Sequence, residues 1–170
     1  VAKVFVDGKG GNDSITGSSG DDVFSGGDGS DTISGGPGTD KIVETRDANI
    51  ILSDGSLSIG SEGVDQLESI ETALLTGGES VNRIDASGFT LGGVTLGSGG
   101  GLDTLVGSDQ DDMFVVDVHG LNTPDVTDES TQIVVGVGQS SADRIVIQGS
   151  GPILTQDDMN WVKLECPLEC

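Results

Sequence analysis

The sequence has few aromatic and few basic residues. Its 170 residues include four Phe, one Trp and no Tyr, and seven Lys and Arg stand against 29 Asp and Glu, which gives a formal net charge of −22. The scarcity of aromatics, together with 29 glycines, works against a large ordinary core and gives the composition a bias towards disorder. Charge of one sign also opposes compaction. Folding therefore requires something that offsets this charge.

The acidic composition and the missing motifs exclude several classes of function. Nucleic acid and anionic membrane surfaces are poor partners for this chain, whereas cations are good ones. There is no run of about 18 apolar residues, so we expect no membrane insertion, and no signal peptide is visible. The motifs HExxH, GxxxxGK and GxSxG are absent, and the single histidine, His119, is expected in a solvated loop. We predict that the chain is not an enzyme, with carboxylate pairs for glycoside hydrolysis as an open alternative.

Cysteine is also scarce, since the only two are Cys166 and Cys170. Two cysteines cannot form a disulfide framework. A strained local disulfide, a bridge to another chain and a pair of thiols are the three alternatives.

A nine-residue repeat begins at Gly8 and runs without a slip to Val43. Its four blocks are GKGGNDSIT, GSSGDDVFS, GGDGSDTIS and GGPGTDKIV, with glycine at position 4 of each. Two adjacent copies recur at 98–115, and looser copies lie at 60–68, 77–85 and 138–146, separated by irregular insertions at 44–59, 86–97 and 116–137. Position 6 holds Asp13, Asp22, Asp31 and Asp40, and position 8 holds Ile15, Phe24, Ile33 and Ile42.

Each block predicts a turn followed by a short strand. Glycine reaches positive φ and Asp bonds to nearby backbone, so the first six residues turn, and one apolar side chain per block points inward. Stacked blocks bury a continuous apolar ladder, with two blocks per coil and a rise of about 4.8 Å. We also expect strands within 2–6, 49–53, 93–96, 113–118, 131–137 and 143–149, a strand and turn rather than a helix over 65–75, and a short helix over 155–166 with Thr155 as N-cap.

The pattern GGxGxDxUx, in which U is a large apolar residue, resembles the RTX (hemolysin-type calcium-binding) repeat family. The resemblance covers 8–43 closely and 98–115 well. It implies an all-β fold, a right-handed parallel β-roll or β-solenoid over 1–150 with calcium ions in its turns, and a short C-terminal cap over 151–170. Calcium takes six to eight oxygens at about 2.3–2.6 Å, which glycine turns and fixed aspartates supply.

The same resemblance implies the calcium ligands. Ions lie between turns on the same side of the roll, which pairs Asp13 with Asp31 and Asp22 with Asp40, and we expect about three to six ions. The position 5 acids, Asp21 and Asp111, are expected to be solvated. The implied ligands are the side chains of Asp13, Asp22, Asp31, Asp40, Asp103 and Asp112 and the carbonyls of Lys9, Gly11, Ser18, Gly20, Gly27, Gly29, Gly36, Gly38, Gly99, Gly101, Ser108 and Gln110.

The resemblance also suggests where the protein acts, because such repeats stay unfolded at low cytosolic calcium and fold after export. We predict a secreted protein, extracellular or at the cell surface. Open strand edges favour end-to-end self-association, as in a structural subunit of a filament, surface layer or biofilm matrix. The alternative is a calcium-binding module of a larger secreted adhesin or enzyme that binds carbohydrate or a surface.

Overall fold

The computed structural model describes residues 2–101, 103–117, 132–134, 144–148 and 163–164, and every regular element within these ranges is a β strand. Short strands follow from the sequence because turns rich in Gly and Asp interrupt it. The strands are β1 (Phe5–Asp7), β2 (Ser14–Thr16), β3 (Val23–Ser25), β4 (Thr32–Ser34), β5 (Lys41–Thr45), β6 (Ile50–Ser53), β7 (Ser56–Ile59), β8 (Gly63–Glu68), β9 (Thr72–Thr76), β10 (Arg83–Gly88), β11 (Val94–Gly97), β12 (Thr104–Val106), β13 (Met113–Asp117), β14 (Gln132–Val134), β15 (Arg144–Gln148) and β16 (Lys163–Leu164).

The strands form two sheets. The first sheet has the order β1-β3-β5-β9-β11-β13-β15, and the second has the order β16-β14-β12-β10-β6-β7-β8-β4-β2. Phe5 pairs in parallel with Val23, and Ser14 pairs in parallel with Thr32. Partners in the repeat region are thus two nine-residue blocks apart, so the predicted coil of two blocks is confirmed.

The apolar core consists of position 8 side chains and their equivalents in later coils. Phe24, Ile33 and Ile42 are fully buried and Ile15 is nearly so, as predicted. Each buried side chain of this size contributes about 1.5–3 kcal/mol relative to exposure. The same cluster continues through residues of both sheets, including Ile50, Leu75, Ile84, Leu96, Leu105 and Phe114.

The insertion at 44–59 contains a β-hairpin, which the sequence prediction did not include. Strand β7 runs antiparallel to both β6 and β8, and Asp54 and Gly55 form the two-residue turn between β6 and β7. Asp and Gly are both common turn residues, and neither adopts positive φ in this turn. The prediction of wholly parallel pairing is therefore wrong at β7, and the second sheet gains two strands there.

The remaining predictions of secondary structure have mixed outcomes. The strand and turn over 65–75 are confirmed by β8 and β9, and the other predicted strand segments overlap β1, β6, β11, β13, β14 and β15. The predicted helix over 155–166 is wrong at Lys163–Leu164, where β16 pairs in parallel with β14. Several features named in the sequence analysis lie outside the described residues. They are the rest of that segment, His119, Cys166, Cys170 and the part of the 138–146 copy before Arg144.

Candidate metal centre

The turns between the sheets lie in two rows. The first turn row comprises 8–13, 26–31, 46–49, 77–82 and 98–103, and the second comprises 17–22, 35–40, 69–71, 89–93 and 107–112. The turn 60–62 between β7 and β8 lies at the end of the strands that faces the first row. Consecutive blocks therefore contribute to opposite rows, because the chain crosses from one sheet to the other in each block.

Within each row, the aspartates at position 6 stack as a ladder. The backbone N–H of Asp13 donates to Oδ1 of Asp31 at 2.8 Å, and the N–H of Asp22 donates to Oδ1 of Asp40 at 2.7 Å. The structure thus brings together the two pairs that the sequence predicted. Oδ1 of Asp31 and Oδ1 of Asp40 thus each accept a hydrogen bond from the preceding coil. The other carboxylate oxygen, Oδ2, is left for a different partner.

That other oxygen is buried in three of the four repeats. Oδ2 of Asp13, Asp31 and Asp40 is inaccessible to solvent and has no hydrogen-bond partner, and Asp31 and Asp40 are 1% and 0% exposed. An ionised carboxylate is costly to bury without a partner. A cation beside these oxygens would remove that cost.

The glycine at position 1 of each repeat leaves room for such a cation. A Cβ on Gly8 would lie 2.9 Å from Asp13 Oδ2 and would overlap the Gly26 carbonyl oxygen of the next coil. A Cβ on Gly26 would lie 2.5 Å from Asp31 Oδ2 and 3.2 Å from Asp65 Oδ2. Oxygens from two coils thus converge on a space that any side chain at position 1 would fill, and oxygen donors are those that calcium prefers.

Comparison with known families accounts for this arrangement. Residues 7–42 match the family model of the RTX calcium-binding nonapeptide repeat in four copies. No match to the chain was found among curated proteins.

Four turns that lack serine at position 2 share one backbone conformation. Lys9 has a φ of 76° and Gly11 a φ of 107°, and positions 2 and 4 are also at positive φ in the turns 26–31, 35–40 and 98–103. The predicted ligand carbonyls face the next coil, since a Cβ on Gly27 would overlap the Lys9 carbonyl and a Cβ on Gly29 would overlap the Gly11 carbonyl. We call these four turns the open turns.

Two further turns, 17–22 and 107–112, have serine at position 2 and are closed by it. The Ser18 N–H donates to Asp22 Oδ2 at 2.5 Å, and Ser18 Oγ donates to Asp22 Oδ1 at 3.1 Å. Ser108 makes the same two bonds to Asp112, at 2.6 and 2.9 Å. Positive φ is not adopted at Ser18, Gly20, Ser108 or Gln110. We call these the closed turns, because their own serine satisfies the aspartate that the RTX pattern reserves for the ion.

The pKa values of two aspartates differ between the turn types. Burial raises the pKa of Asp40, and the like charge of Glu71 adds to that increase. Burial also acts to raise the pKa of Asp22, but hydrogen bonds from Val4 and Ser18 outweigh it and leave this pKa below its ordinary value. The chain's own hydrogen bonds therefore favour the charged form of Asp22, whereas burial and the charge of Glu71 disfavour the charged form of Asp40.

The later pair of predicted turns lies in the same rows. The N–H of Asn82 donates to Asp103 Oδ1 at 2.8 Å, and the N–H of Val94 donates to Asp112 Oδ1 at 2.9 Å. Burial raises the pKa of Asp103 to about 6, with a contribution from the charge of Asp47. Asn82 brings no charge to its turn, and its Oδ1 accepts a hydrogen bond from the Gly78 N–H at 2.8 Å.

Two carboxylates extend the ladders beyond the RTX repeats. The N–H of Asp31 donates to Asp65 Oδ1 at 2.9 Å, and the N–H of Asp40 donates to Glu71 Oε2 at 2.8 Å. The copy at 60–68 indicated Asp65 from its position 6. The sequence analysis did not identify Glu71, because its three-residue turn has no glycine pattern.

An arginine of the insertion lies above the turn 26–31 in the first turn row. The Arg46 guanidinium forms ion pairs with Glu44 at 3.1 Å, Glu62 at 3.3 Å and Asp28 at 3.7 Å. The Glu44 side chain is 1% exposed, and its Oε1 accepts the Gly26 N–H at 2.9 Å. The single positive charge of Arg46 thus offsets part of the negative charge of these three carboxylates.

Side-chain ligands alone do not form a metal centre here. Within the ranges that the structure describes, no group of three or more His, Cys, Asp or Glu side chains could hold a metal ion. A calcium site would therefore combine one or two carboxylates with backbone carbonyls.

The ranges that the structure describes contain no helix long and apolar enough to span a membrane.

Proposed function

We propose that the chain is a secreted calcium-binding structural protein that assembles end to end in an extracellular filament, surface layer or biofilm matrix. The observation that carries the calcium part is the buried, partnerless Oδ2 of Asp31 and Asp40 beside an oxygen-lined space. The RTX match over 7–42 supports calcium as the ion. The proposal includes a calcium-stabilised roll over 1–150, a cap over 151–170 and no catalytic activity.

The proposed ligands are the aspartates and carbonyls that the sequence predicted, joined by the position 1 carbonyls of Gly26 and Gly35. The open turns supply the tightest sites, because the Oδ2 atoms of Asp13, Asp31 and Asp40 have no competing partner. The closed turns supply weaker sites, because an ion there competes with Ser18 or Ser108 for the aspartate. When bound, the calcium ions supply the positive charge that the buried carboxylates lack.

Calcium binding and folding are coupled in this proposal. A net charge of −22 opposes compaction, and a set of about three to six divalent ions would cancel a large part of it. An ion that binds only the folded chain shifts the equilibrium towards that state.

Circular dichroism during a calcium titration of the full chain tests this coupling. We expect little ordered structure in chelator and a cooperative increase in β structure as calcium is added. A magnesium titration is the control, since smaller, reluctantly dehydrated Mg²⁺ suits these carbonyl-rich sites poorly. Equal β structure in chelator and in calcium would contradict the proposal.

An open sheet edge favours the self-associating form of the proposal. Among the described residues β1 pairs with β3 alone, and its Phe5 is 69% exposed. An edge strand with an exposed aromatic side chain can accept a strand from another chain. The same edge also suits the second candidate, a calcium-binding module joined to further coils of a larger secreted adhesin or enzyme.

A further inference from the structure

The turn Ser69–Glu71 lies directly above the last RTX turn in the second turn row and does not follow the nonapeptide pattern. Glu71 continues the ladder, because its Oε2 accepts the Asp40 N–H at 2.8 Å. The N–H groups of Glu71 and Thr72 both donate to the Asp40 carbonyl oxygen at 3.0 Å. These bonds hold the Glu71 carboxylate beside Asp40.

Asp40 directs an unsatisfied oxygen into the space between these two turns. The residue is 0% exposed, and its Oδ2 has no hydrogen-bond partner. A Cβ on Gly35 would lie 2.5 Å from this oxygen and would overlap the Ser69 carbonyl oxygen. The Ser69 carbonyl thus takes the place that the Gly35 carbonyl takes over Gly17 in the coil below.

The backbone of Ser69 differs from that of the glycines in the equivalent place. Its φ of 53° is in the left-handed region, which residues other than glycine seldom adopt. Gly26 and Gly35, whose carbonyls lie over Gly8 and Gly17, do not adopt positive φ. The Ser69 carbonyl oxygen nevertheless lies over Gly35, as the Gly35 carbonyl lies over Gly17.

Asp40 and Glu71 correspond to Asp31 and Asp65 in the first turn row. In that row Arg46 forms ion pairs nearby, with Glu44, Glu62 and Asp28. In the part of the chain that the structure describes, no Lys or Arg forms an ion pair with Asp40 or Glu71. The second row thus has two adjacent carboxylates and no cation of the protein between them.

We propose that Glu71 and the Ser69 carbonyl, which lie outside the nonapeptide repeats, complete with Asp40 a site for a divalent cation of the calcium class. The donors are all oxygen, and two of them are charged, which is the donor set that calcium prefers. Glu71 accepts the Asp40 N–H with one oxygen and presents the other to the ion. This site rests on the proposed function because it uses the same ion.

The substitution Glu71→Gln in the full chain tests the site, because it retains an oxygen for the Asp40 N–H and removes the charge. The matched control is Glu68→Gln, at an exposed residue of the same segment. Native mass spectrometry and flow dialysis count the calcium ions bound by each chain. We expect Glu71→Gln to bind one ion fewer than the wild type and Glu68→Gln to bind the full number.

The outcomes separate this site from the proposed function. If the wild type binds no calcium, the proposed function fails and this site fails with it. If the wild type binds calcium and Glu71→Gln binds the same number of ions with the same affinities, only this site is overturned.

A second measurement applies if Glu71→Gln does not fold. A crystal of the wild type grown in calcium should show an anomalous-scattering peak about 2.3–2.6 Å from both Asp40 Oδ2 and the Ser69 carbonyl oxygen. Peaks in the RTX turns without a peak at this position would overturn the site and leave the proposed function intact.

Discussion

At the scale of single residues, position 2 of each turn decides how the turn aspartate is satisfied. Gly36 leaves Asp40 Oδ2 without a partner, whereas Ser18 bonds to both oxygens of Asp22. A serine at this position thus stabilises the charge of the aspartate, as a bound ion would. It also competes with the ion, because an oxygen that already accepts a hydrogen bond is a poorer ligand.

Replacing Ser18 with glycine should strengthen calcium binding in the turn 17–22. The variant loses the Oγ bond to Asp22 and gains access to the positive φ of the open turns. The lost bond is worth about 0.5–1.5 kcal/mol, so we expect the calcium affinity of this turn to tighten by about two- to tenfold. Titration calorimetry measures this change.

The control for this experiment is Ser19→Gly, which makes the same substitution at an exposed neighbour in the same turn. It carries a similar backbone entropy cost and should leave the calcium affinities unchanged. An identical calorimetric profile for the two variants would show that Ser18 does not compete with the ion.

At the scale of elements, the β6–β7 hairpin separates the RTX repeats from the later coils and brings Arg46 to their boundary. The guanidinium is 23% exposed, while the Glu44 side chain that it contacts is 1% exposed. Breaking such a pair leaves a buried charge without compensation. This boundary should therefore be stabilised by the chain itself rather than by calcium.

The variant Arg46→Met should destabilise the folded chain at saturating calcium by about 1–3 kcal/mol, less than a fully buried pair because the guanidinium is partly solvated. Urea denaturation at saturating calcium measures the loss. Arg83→Met is the matched control, since Arg83 forms its ion pair with Asp85 at the surface and should change stability by about 0.5 kcal/mol or less. Equal losses in both variants would contradict the role of Arg46.

The elements also show which features a sequence of this kind reveals. The nine-residue period fixes the buried position 8 and the partners one coil apart, because neighbouring coils repeat the same local pattern. It cannot place Glu71 above Asp40, since the insertion separates them by 31 residues. The Asp54-Gly55 pair signalled the hairpin locally, but the irregular insertion around it obscured that signal.

At 155–166 a local sequence signal was present but led to a wrong prediction at two residues. Thr155 and the acids that follow it are typical of a helix start, yet Lys163–Leu164 adds a strand to the edge of the second sheet. The helical propensity is overridden at these two residues, because pairing with the edge strand β14 satisfies their backbone hydrogen-bonding groups.

At the scale of the whole molecule, the predicted self-association depends on the open edge at β1. In calcium, negative-stain microscopy should show filaments, and in chelator it should show none. Phe5→Asp should abolish the filaments by placing a charge on the edge strand. Val81→Asp, at a residue that is 71% exposed away from that edge, should retain them. Monodisperse particles alone at high calcium would contradict self-association.

The hairpin has a geometrical consequence for any such filament. Between β4 and β10 the second sheet holds three strands, whereas the first sheet holds β5 alone between β3 and β9. Two extra rungs at about 4.8 Å each make one face of the stack about 10 Å longer than the other. Copies joined end to end would add this difference at every repeat. The resulting fibre would coil with a pitch that is set by the length of one insertion.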